Sequence, residues 1–484
     1  MEQHKIPQIP KIDYVILPLI MVLAFYLVFL PHQNFPYPVH IDEWVHLAYS
    51  NEVIQSGSIT FIDPFHGQRT MSLTANLEAA FQMFWGVFHQ ISGISWIAIV
   101  RYFPAIIFLF TVLSVYIVAR REGFGWEAAF FTCLVPTTVG IMGPAFFIPM
   151  ALGLVFIPLS IFLVFNFRTV WSYLTLFIFA ALLLAIHAPT AIAVVLVLLP
   201  YILLNLKDNF KHSLLTTLAL AVPFLAPFPW IFSKLEPTAM SLFAPQPFPD
   251  YIQLPLVIQT YGYLPVAMCL VGTFMLAVRG GRKGYGLVFG LLTLLVMLAV
   301  FYTYRYGISI MYERGLTYMM LIMSAVAGAG LMAVKNIRLP VKVPLINQNV
   351  GWILCAVIII ATLIIGIPAR QDIPFYYMID TKDYEAFVWV RDNVDDSYQR
   401  AILDPWKATP FTAIAGKYVY TRTHAFPTDT DRQANLFLNN GCKDTAFLKE
   451  NGISIVYTTG TCDNPDLTEV RENIYLLKKD SGKG

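Results

Sequence analysis

Long apolar stretches separated by short polar connections fill the first 370 residues of the chain. A bilayer hydrocarbon core about 30 Å thick needs roughly 20 apolar residues per crossing helix. Stretches of this kind occur at 14–31, 97–118, 126–142, 145–166, 170–187, 189–206, 213–233, 259–278, 285–304, 312–333 and 350–368. Of the 484 residues, 57% are hydrophobic and only 13% are charged. The pattern predicts a polytopic α-helical membrane protein with about 11 transmembrane helices.

The positive charges between these stretches predict an orientation. If the N-terminus is inside, thirteen Lys and Arg residues fall in inner connections and five at the outer side. Such a bias identifies the cytoplasmic face. We therefore expect an integral plasma-membrane protein with its N-terminus inside and everything from Arg370 onward outside. A net charge of +2, without a basic run, offers nothing that would follow a nucleic-acid backbone.

Two outer segments are long enough to fold. The first loop, 32–96, contains helix-like stretches at Asp42–Gln55 and Ser72–Ile91, and the second has the apolar spacing of a helix lying in the membrane interface. We assign 1–370, including this loop, to a transmembrane domain. Residues 371–484 alternate amphipathic helices with short β runs, which predicts an extracytoplasmic α/β domain with a largely parallel sheet.

The stretch HIDEWVHLAYSNEV, which begins at His40, is the first place with candidate chemistry. Asp42 and Glu43 follow the first apolar span, and His46 lies one helical turn after Asp42. Carboxylates here suit a general base or a divalent-metal ligand. The alternative is structural: Asp42 caps the helix and complements its dipole.

A second candidate is the outer connection YRYGISIMYERGLTYMM. It places Arg305, Glu313 and Arg314 among tyrosines that include Tyr312. Arg donates paired hydrogen bonds to phosphate oxygens. In the alternative reading, Arg314 pairs with Glu313 or reaches lipid headgroups, and the tyrosines form an interfacial aromatic belt.

The outer Asp-Glu pair after the first span, in HIDEWVHLAYSNEVIQSGSITFIDPF, resembles the first-loop signature of the GT-C glycosyltransferases. That superfamily includes protein O-mannosyltransferases, oligosaccharyltransferases and aminoarabinose transferases. The number and sidedness of the spans, the long first loop and the outer C-terminal domain follow the same plan. The likeness covers the whole chain as architecture and about 25 residues as a motif.

The resemblance implies that a sugar moves, with inversion, from a polyprenyl-phosphate or polyprenyl-diphosphate donor to an acceptor on the outer face. It makes Asp42 the catalytic base and Glu43 its neighbour in the site. It assigns the donor phosphate to Arg314, then Arg305, and we add Tyr312 as a third candidate for phosphate binding.

The candidates to line the cavity are His46 and Glu313, already mentioned, and three further residues. The resemblance suggests His187 and Thr190, in AIHAPTAI, as part of the donor cavity. The C-terminal domain is expected to shape the acceptor entrance, and His424, in YTRTHAFP, is its candidate for reaching the site. The alternative for His187 is a structural hydrogen bond.

The chain departs from the family at two points. Metal-dependent oligosaccharyltransferases carry an acidic pair after the third span, where this chain reads VGIMGPAF, and their WWDYG acceptor motif has no counterpart. Transfer to an N-glycosylation sequon is therefore not expected. A divalent metal, Mg²⁺ or Mn²⁺, stays open as a cofactor, with Asp63 and Glu78 as further acids, although the missing pair argues against it.

Two other functions stay open: a non-catalytic membrane binding or assembly protein, and a lipid or sugar transporter. The transporter would need charged or broken helices at mid-membrane, whereas these spans are nearly free of charge. The sequence leaves undetermined the sugar, the acceptor (protein, lipid or glycan), the number of donor phosphates, the oligomeric state, and whether Cys442 and Cys462 form a disulfide or stay as thiols.

Overall fold

The structure is a computed structural model that describes residues 10–71, 76, 78–226, 254–305, 309–338, 344–423 and 427–479, with backbone alone at 309, 310, 312 and 344–348. The chain divides into two compact units. The first contains 1–34 and 100–375, and the second contains 35–99 and 376–484. The sequence-based division kept the first loop with the transmembrane helices, whereas the structure groups it with the C-terminal region.

The first unit is built from helices. In chain order they are α1 (Asp13–Phe29, followed by a 3₁₀ turn at Leu30–His32), α4 (Trp96–Arg121, whose first residues belong to the second unit), α5 (Gly125–Cys133), α6 (Pro149–Gly153), α7 (Phe156–Asn166), α8 (Val170–Asn205), α9 (Phe210–Leu225), α10 (Pro255–Tyr261), α11 (Tyr263–Arg279), α12 (Arg282–Tyr304), α13 (Ser309–Lys335) and α14 (Pro344–Gln371). The helical fold class predicted from the sequence is confirmed.

Seven helices in the described ranges are long and apolar enough to cross a membrane, and an eighth results if α10 and α11, bent by 109°, form one span. The predicted number was higher for identifiable reasons. Residue His187 breaks α8 with extended backbone angles between the predicted spans 170–187 and 189–206, and the count of seven takes the two parts as one helix. The described part of the predicted span 213–233 is too short to pass the same test. The Pro-rich segment 235–258 lies largely outside the described residues.

The prediction of a continuous helix over 126–142 is wrong. Helix α5 ends at Cys133, and Pro136 follows two residues after its C-terminal cap. Proline disfavours helical geometry in the residue before it and lacks an N–H to donate. The irregular chain that follows is held locally, because Ala145 N donates to Thr137 Oγ1 at 2.7 Å.

Glycines allow the closest helix contact in this unit. A Cβ added at Gly272 of α11 would overlap the carbonyl of Val326 on α13, and one at Gly330 of α13 would overlap the carbonyl of Met268. Small residues let helix backbones approach each other in membranes, where packing rather than the hydrophobic effect drives association. Helix α13 is thereby held as a central, mostly buried element.

The second unit combines the first loop with the C-terminal region. The loop supplies α2 (Ile41–Ser56), a short antiparallel hairpin of β1 (Phe61–Ile62) and β2 (Thr70–Met71), and α3 (Ala79–Ser92). Helix α3 buries Phe81 and Trp85 and exposes Phe84 and Ile91, which is the two-sided character expected of an interfacial helix. Its placement at a membrane surface stays a prediction.

The C-terminal region is an α/β fold, as predicted. It contains α15 (Thr381–Asn393), β3 (Arg400–Ile402), α16 (Pro405–Ala415), β4 (Tyr418–Val419), α17 (Asp429–Asn439), α18 (Thr445–Glu450), β5 (Ile455–Tyr457), β6 (Leu467–Arg471) and β7 (Ile474–Leu477). Strand order is β4-β3-β5-β7-β6. Strands β4, β3 and β5 pair in parallel, whereas β7 pairs antiparallel with both β5 and β6, so the sheet is mixed rather than largely parallel as predicted.

Backbone hydrogen bonds connect the first loop to the C-terminal region. Val419 N, on edge strand β4, donates to Phe65 O at 2.8 Å, and Tyr376 N donates to Val39 O at 3.0 Å. Gly67 lies with a positive φ of 71° against the ring of Tyr418, where a Cβ would come within 2.9 Å of a ring carbon. Covering the edge strand in this way removes an exposed pairing surface.

Cys442 and Cys462 lie together beside the C-terminal sheet as thiols. Their sulfurs are hydrogen bonded to each other, and burial raises the pKa of both groups. Whether an oxidising compartment joins them stays open.

Candidate functional site

The N-terminus of α2 is capped by two residues that leave Asp42 out of the cap. His40 is the N-cap residue, and its Nδ1 accepts a hydrogen bond from Asp42 N at 3.2 Å. Glu43 Oε2 accepts from Val39 N at 2.7 Å and from His40 N at 2.9 Å. This reciprocal capping box satisfies backbone donors that a helix start otherwise leaves unpaired. It explains why the Glu43 carboxylate can be fully buried.

Asp42 has a different environment from its neighbour. Its side chain is 38% exposed, with Oδ2 3.8 Å from His40 Nδ1. Because that nitrogen already accepts the Asp42 N–H, its lone pair is occupied and the neutral ring carries its proton on Nε2. His40 therefore orients the helix start. His40 and Glu43, rather than Asp42, therefore cap this helix.

Aromatic side chains from the C-terminal region border this carboxylate. Tyr376 stacks on His40 with centroids 5.4 Å apart, and Trp406 packs edge-on against Tyr376 at 5.1 Å. Burial, and then the charge of Asp42, raise the pKa of Tyr376. The phenol is therefore neutral at physiological pH and available as a hydrogen-bond donor.

The other first-loop candidates have structural contacts. His46 Nε2 lies 3.9 Å from Glu78 Oε2, and its ring packs edge-on against Phe81 at 5.2 Å, which ties α2 to the start of α3. Asp63 is buried, and its Oδ1 accepts from Phe65 N at 3.2 Å within the loop that covers β4.

In the first unit, the two candidate arginines lie at the ends of adjacent helices. Arg305 terminates α12 in a left-handed conformation with φ 62°, and its N–H donates to Phe301 O at 2.6 Å. Arg314 lies near the start of α13, with its Nη1 3.8 Å from Glu313 Oε2. Both members of that ion pair are largely covered, at 11% and 27% exposure.

Helix α13 also joins the His187 element. Tyr318 is one turn beyond Arg314, on the same helix face. Its hydroxyl is 2.8 Å from Thr190 Oγ1 and 3.2 Å from His187 Nδ1, and that nitrogen is 2.7 Å from Thr190 Oγ1. All three side chains are buried. The helix break at His187 thus turns its ring into a hydrogen-bonded cluster with α13.

Two candidates cannot be placed. His424 and the side chain of Tyr312 lie outside the described residues. Within the described ranges, no group of three or more His, Cys, Asp or Glu side chains is arranged to hold a metal ion.

Sequence reasoning missed Tyr318, Tyr376 and Trp406. Tyr318 could have been found from its i, i+4 spacing to Arg314. The other two have no local signal, because they approach α2 from more than 330 residues away in the chain.

Comparison with known proteins gives the fold class. No family model and no curated protein sequence matches this chain. Among solved structures, the apo oligosaccharyltransferase of Archaeoglobus fulgidus matches with a TM-score of 0.64 at 11% identity, covering 92% of this chain and 69% of that one.

Two further matches extend the comparison. ArnT from Cupriavidus metallidurans bound to undecaprenyl phosphate gives a TM-score of 0.56 at 13% identity, with 96% and 97% coverage. The mycobacterial arabinofuranosyltransferase AftD gives 0.59 at 16%, covering 98% of this chain and 40% of that one. The chain is an integral membrane protein with the fold of the GT-C glycosyltransferases, as the first-loop motif predicts.

Proposed function

We propose that this protein is a membrane glycosyltransferase that moves a sugar from a polyprenyl-phosphate or polyprenyl-diphosphate donor to an acceptor, with inversion. The observation that carries the proposal is the division of labour at α2. His40 and Glu43 cap the helix, and the Asp42 carboxylate stays outside the cap and partly exposed. Solved structures of the same fold include complexes with undecaprenyl phosphate and with dolichol phosphate, which supports a lipid-linked donor.

In the proposed reaction Asp42 is the general base. Its carboxylate takes the proton of the acceptor hydroxyl or amide as the acceptor atom forms a bond to the anomeric carbon. The bond from that carbon to the phosphate oxygen breaks, and its electron pair leaves with the lipid phosphate. Because a phosphate is a stable anion, it needs no proton to depart. Attack opposite the leaving group inverts the anomeric centre.

The lipid phosphate is assigned to the arginines of the first unit. Arg314, beside Glu313 near the start of α13, supplies a positive charge, and Arg305 at the end of α12 supplies a second. Fixed donors stabilise the charge that develops on the leaving phosphate. The His187, Thr190 and Tyr318 cluster positions α8 against α13 behind Arg314.

The test measures binding of polyprenyl-phosphate and polyprenyl-diphosphate sugars to the full chain in lipid nanodiscs. Arg314→Ala should weaken the affinity at least tenfold, because it removes charge-assisted hydrogen bonds. The matched control is Arg338→Ala, an exposed residue just beyond the opposite end of α13, about 36 Å along the helix.

Two outcomes would contradict the assignment. Equal losses in both variants would indicate a general loss of positive charge rather than a phosphate site. The absence of binding to any lipid phosphate would favour the non-catalytic binding or assembly protein.

A further inference from the structure

We propose that a cleft in the second unit is a binding site for a neutral saccharide, and, resting on the proposed function, that this saccharide is the acceptor. The cleft has a volume of about 700 Å³. It lies between α2, the start of α4, α15, and the C-terminal end of α16. We call it the α2 cleft and define it by Asn51, Glu52, Gln55, Trp96, Tyr384 and Arg391.

Glu52 is the strongest sign that the α2 cleft takes a ligand. Its side chain is half-buried, and it forms no hydrogen bond or ion pair with any described residue. Burial raises the pKa of the Glu52 carboxyl, so the site carries a desolvation cost without a compensating partner. The hydroxyl groups of a ligand would donate hydrogen bonds to this carboxylate.

Trp96 and Asn51 give the α2 cleft a fixed aromatic and amide surface. Trp96 stacks on His89 with centroids 4.7 Å apart, and its Nε1–H donates to Asn51 Oδ1 at 2.6 Å. Asn51 Nδ2 donates in turn to Ala413 O, at the C-terminal end of α16, at 3.4 Å. Aromatic faces together with orienting polar groups are the usual composition of small-ligand sites.

The charges around the α2 cleft nearly cancel, which favours an uncharged ligand. Lys417 is neutralised by Asp396 at 2.8 Å, and Arg391 pairs with Asp392 at 2.8 Å. A predominantly polar lining disfavours a lipid chain, and balanced charge disfavours a strongly acidic or basic peptide. A neutral polyhydroxyl ligand, whose hydroxyls both donate and accept, matches the mixed carboxylate, amide and guanidinium lining.

The α2 cleft and the proposed base share one helix. Glu52 follows Asp42 by ten residues on α2, which corresponds to about 15 Å along the helix axis. A chain of several sugar units can therefore occupy the cleft while one end lies near Asp42. This connects saccharide binding to transfer without assigning the cleft a role in bond breaking.

The experiment uses the full chain in nanodiscs without donor lipid. Neutral pentasaccharides of mannan, arabinan and glucan are added, and calorimetry and saturation-transfer NMR measure their binding. At least one should bind. Glu52→Gln should weaken that binding about tenfold by removing a charged acceptor. Gln55→Trp, at an exposed position, should abolish it by filling the cleft. Glu450→Gln, an exposed Glu on α18, is the matched control and should leave it unchanged.

Each outcome decides between alternatives. No binding of any neutral saccharide, binding unaffected by both cleft variants, or preferential binding of a charged peptide would overturn the proposal. Saccharide binding should persist in Asp42→Asn and in Arg314→Ala. If these variants bind saccharide normally while donor binding is never observed, the transferase proposal fails and the saccharide site stands. If donor binding and transfer occur without saccharide binding, the saccharide-site proposal fails and the transferase proposal stands.

Discussion

Acidic side chains are held differently at the Lys- and Arg-rich helix ends of the first unit and on α2 of the second unit. In the first unit, four carboxylates near the Lys- and Arg-rich helix ends each have a cationic partner: Asp13 with Arg120, Glu122 with Lys283, Glu127 with Lys335, and Asp208 with Arg282. On α2 of the second unit, Glu43 is held by two backbone N–H groups, Asp42 lies 3.8 Å from an imidazole nitrogen, and Glu52 has no partner among the described residues.

The difference distinguishes carboxylates that stabilise the fold from carboxylates that can interact with a ligand. Lys335 illustrates the first kind: it pairs with the buried Glu127 and lies over the rings of Trp126 and Trp352. Such a carboxylate is already neutralised locally and has little left to offer a ligand. On α2, by contrast, Glu43 belongs to the cap, whereas the half-buried Glu52 has no lysine or arginine partner among the described residues and the partly exposed Asp42 lies outside the cap. The comparison therefore predicts that substitutions in the two places affect different measurements.

The largest effect is expected at Asp42. Replacing this base by Asn should lower sugar transfer about a thousandfold, which is about 4 kcal/mol of transition-state stabilisation. Because Asn keeps the backbone N–H that donates to His40, the thermal unfolding midpoint should not change. Transfer is measured with lipid-linked donor and acceptor in nanodiscs, and donor binding is measured in parallel. Full turnover by Asp42→Asn would remove the base assignment.

The second-largest effect is expected at the ion pair of Glu127 and Lys335 in the first unit. Glu127→Ala should lower the free energy of unfolding by about 3 kcal/mol, because it leaves Lys335 without its buried counter-ion. Thermal unfolding in detergent measures it. The double substitution Glu127→Leu with Lys335→Met should recover much of the loss, because a hydrophobic pair of similar volume carries no desolvation cost. If the double variant is as unstable as the single one, packing rather than charge explains the loss.

A smaller structural effect is expected at Glu43. Glu43→Ala removes the acceptor for Val39 N and His40 N and should cost about 2 kcal/mol of unfolding free energy. Chemical denaturation monitors this change, with Asp42→Asn as the neighbouring control. Transfer measured under folded conditions should fall much less than in Asp42→Asn. A loss of transfer as large as that of Asp42→Asn, without a change in stability, would make Glu43 the base.

Features set by local sequence were predictable. Apolar length identified the membrane helices, and the amphipathic alternation from 381 onward identified the C-terminal α/β fold. Hydrophobic length alone could not show that Pro136 ends α5 early, because this depends on backbone geometry rather than on hydrophobicity. It also missed the added strand β6, whose LTEVR is largely exposed and polar.

The candidate site was predictable only where its residues are neighbours in sequence. The Asp42 and Glu43 pair could be found, but two adjacent acids look alike until hydrogen bonds show that one is consumed by the cap. Tyr376 and Trp406 depend on pairing across the whole chain, which no local pattern encodes.

The smallest effect concerns Glu52 and its dependence on pH. Burial raises the pKa of this carboxyl above its ordinary value of 4.5, so the folded state holds its proton more tightly than the unfolded chain. Below about pH 4.5 the Glu52 carboxyl makes its full contribution to the free energy of unfolding. That contribution is lost as pH rises through the higher pKa of the folded state. Glu52→Gln removes this loss and should be slightly more stable than wild type at pH 7.

Because Glu52 is about half exposed, solvent screening limits the gain to about 0.5 kcal/mol, or roughly one degree in the unfolding midpoint. The two proteins should coincide near pH 4 and separate towards pH 7 in thermal scans, while Glu450→Gln follows wild type throughout. A carboxylate that lowers stability yet supports saccharide binding would show stability exchanged for function at this position. A lower midpoint for Glu52→Gln at pH 7 would instead mean that the charge stabilises the fold.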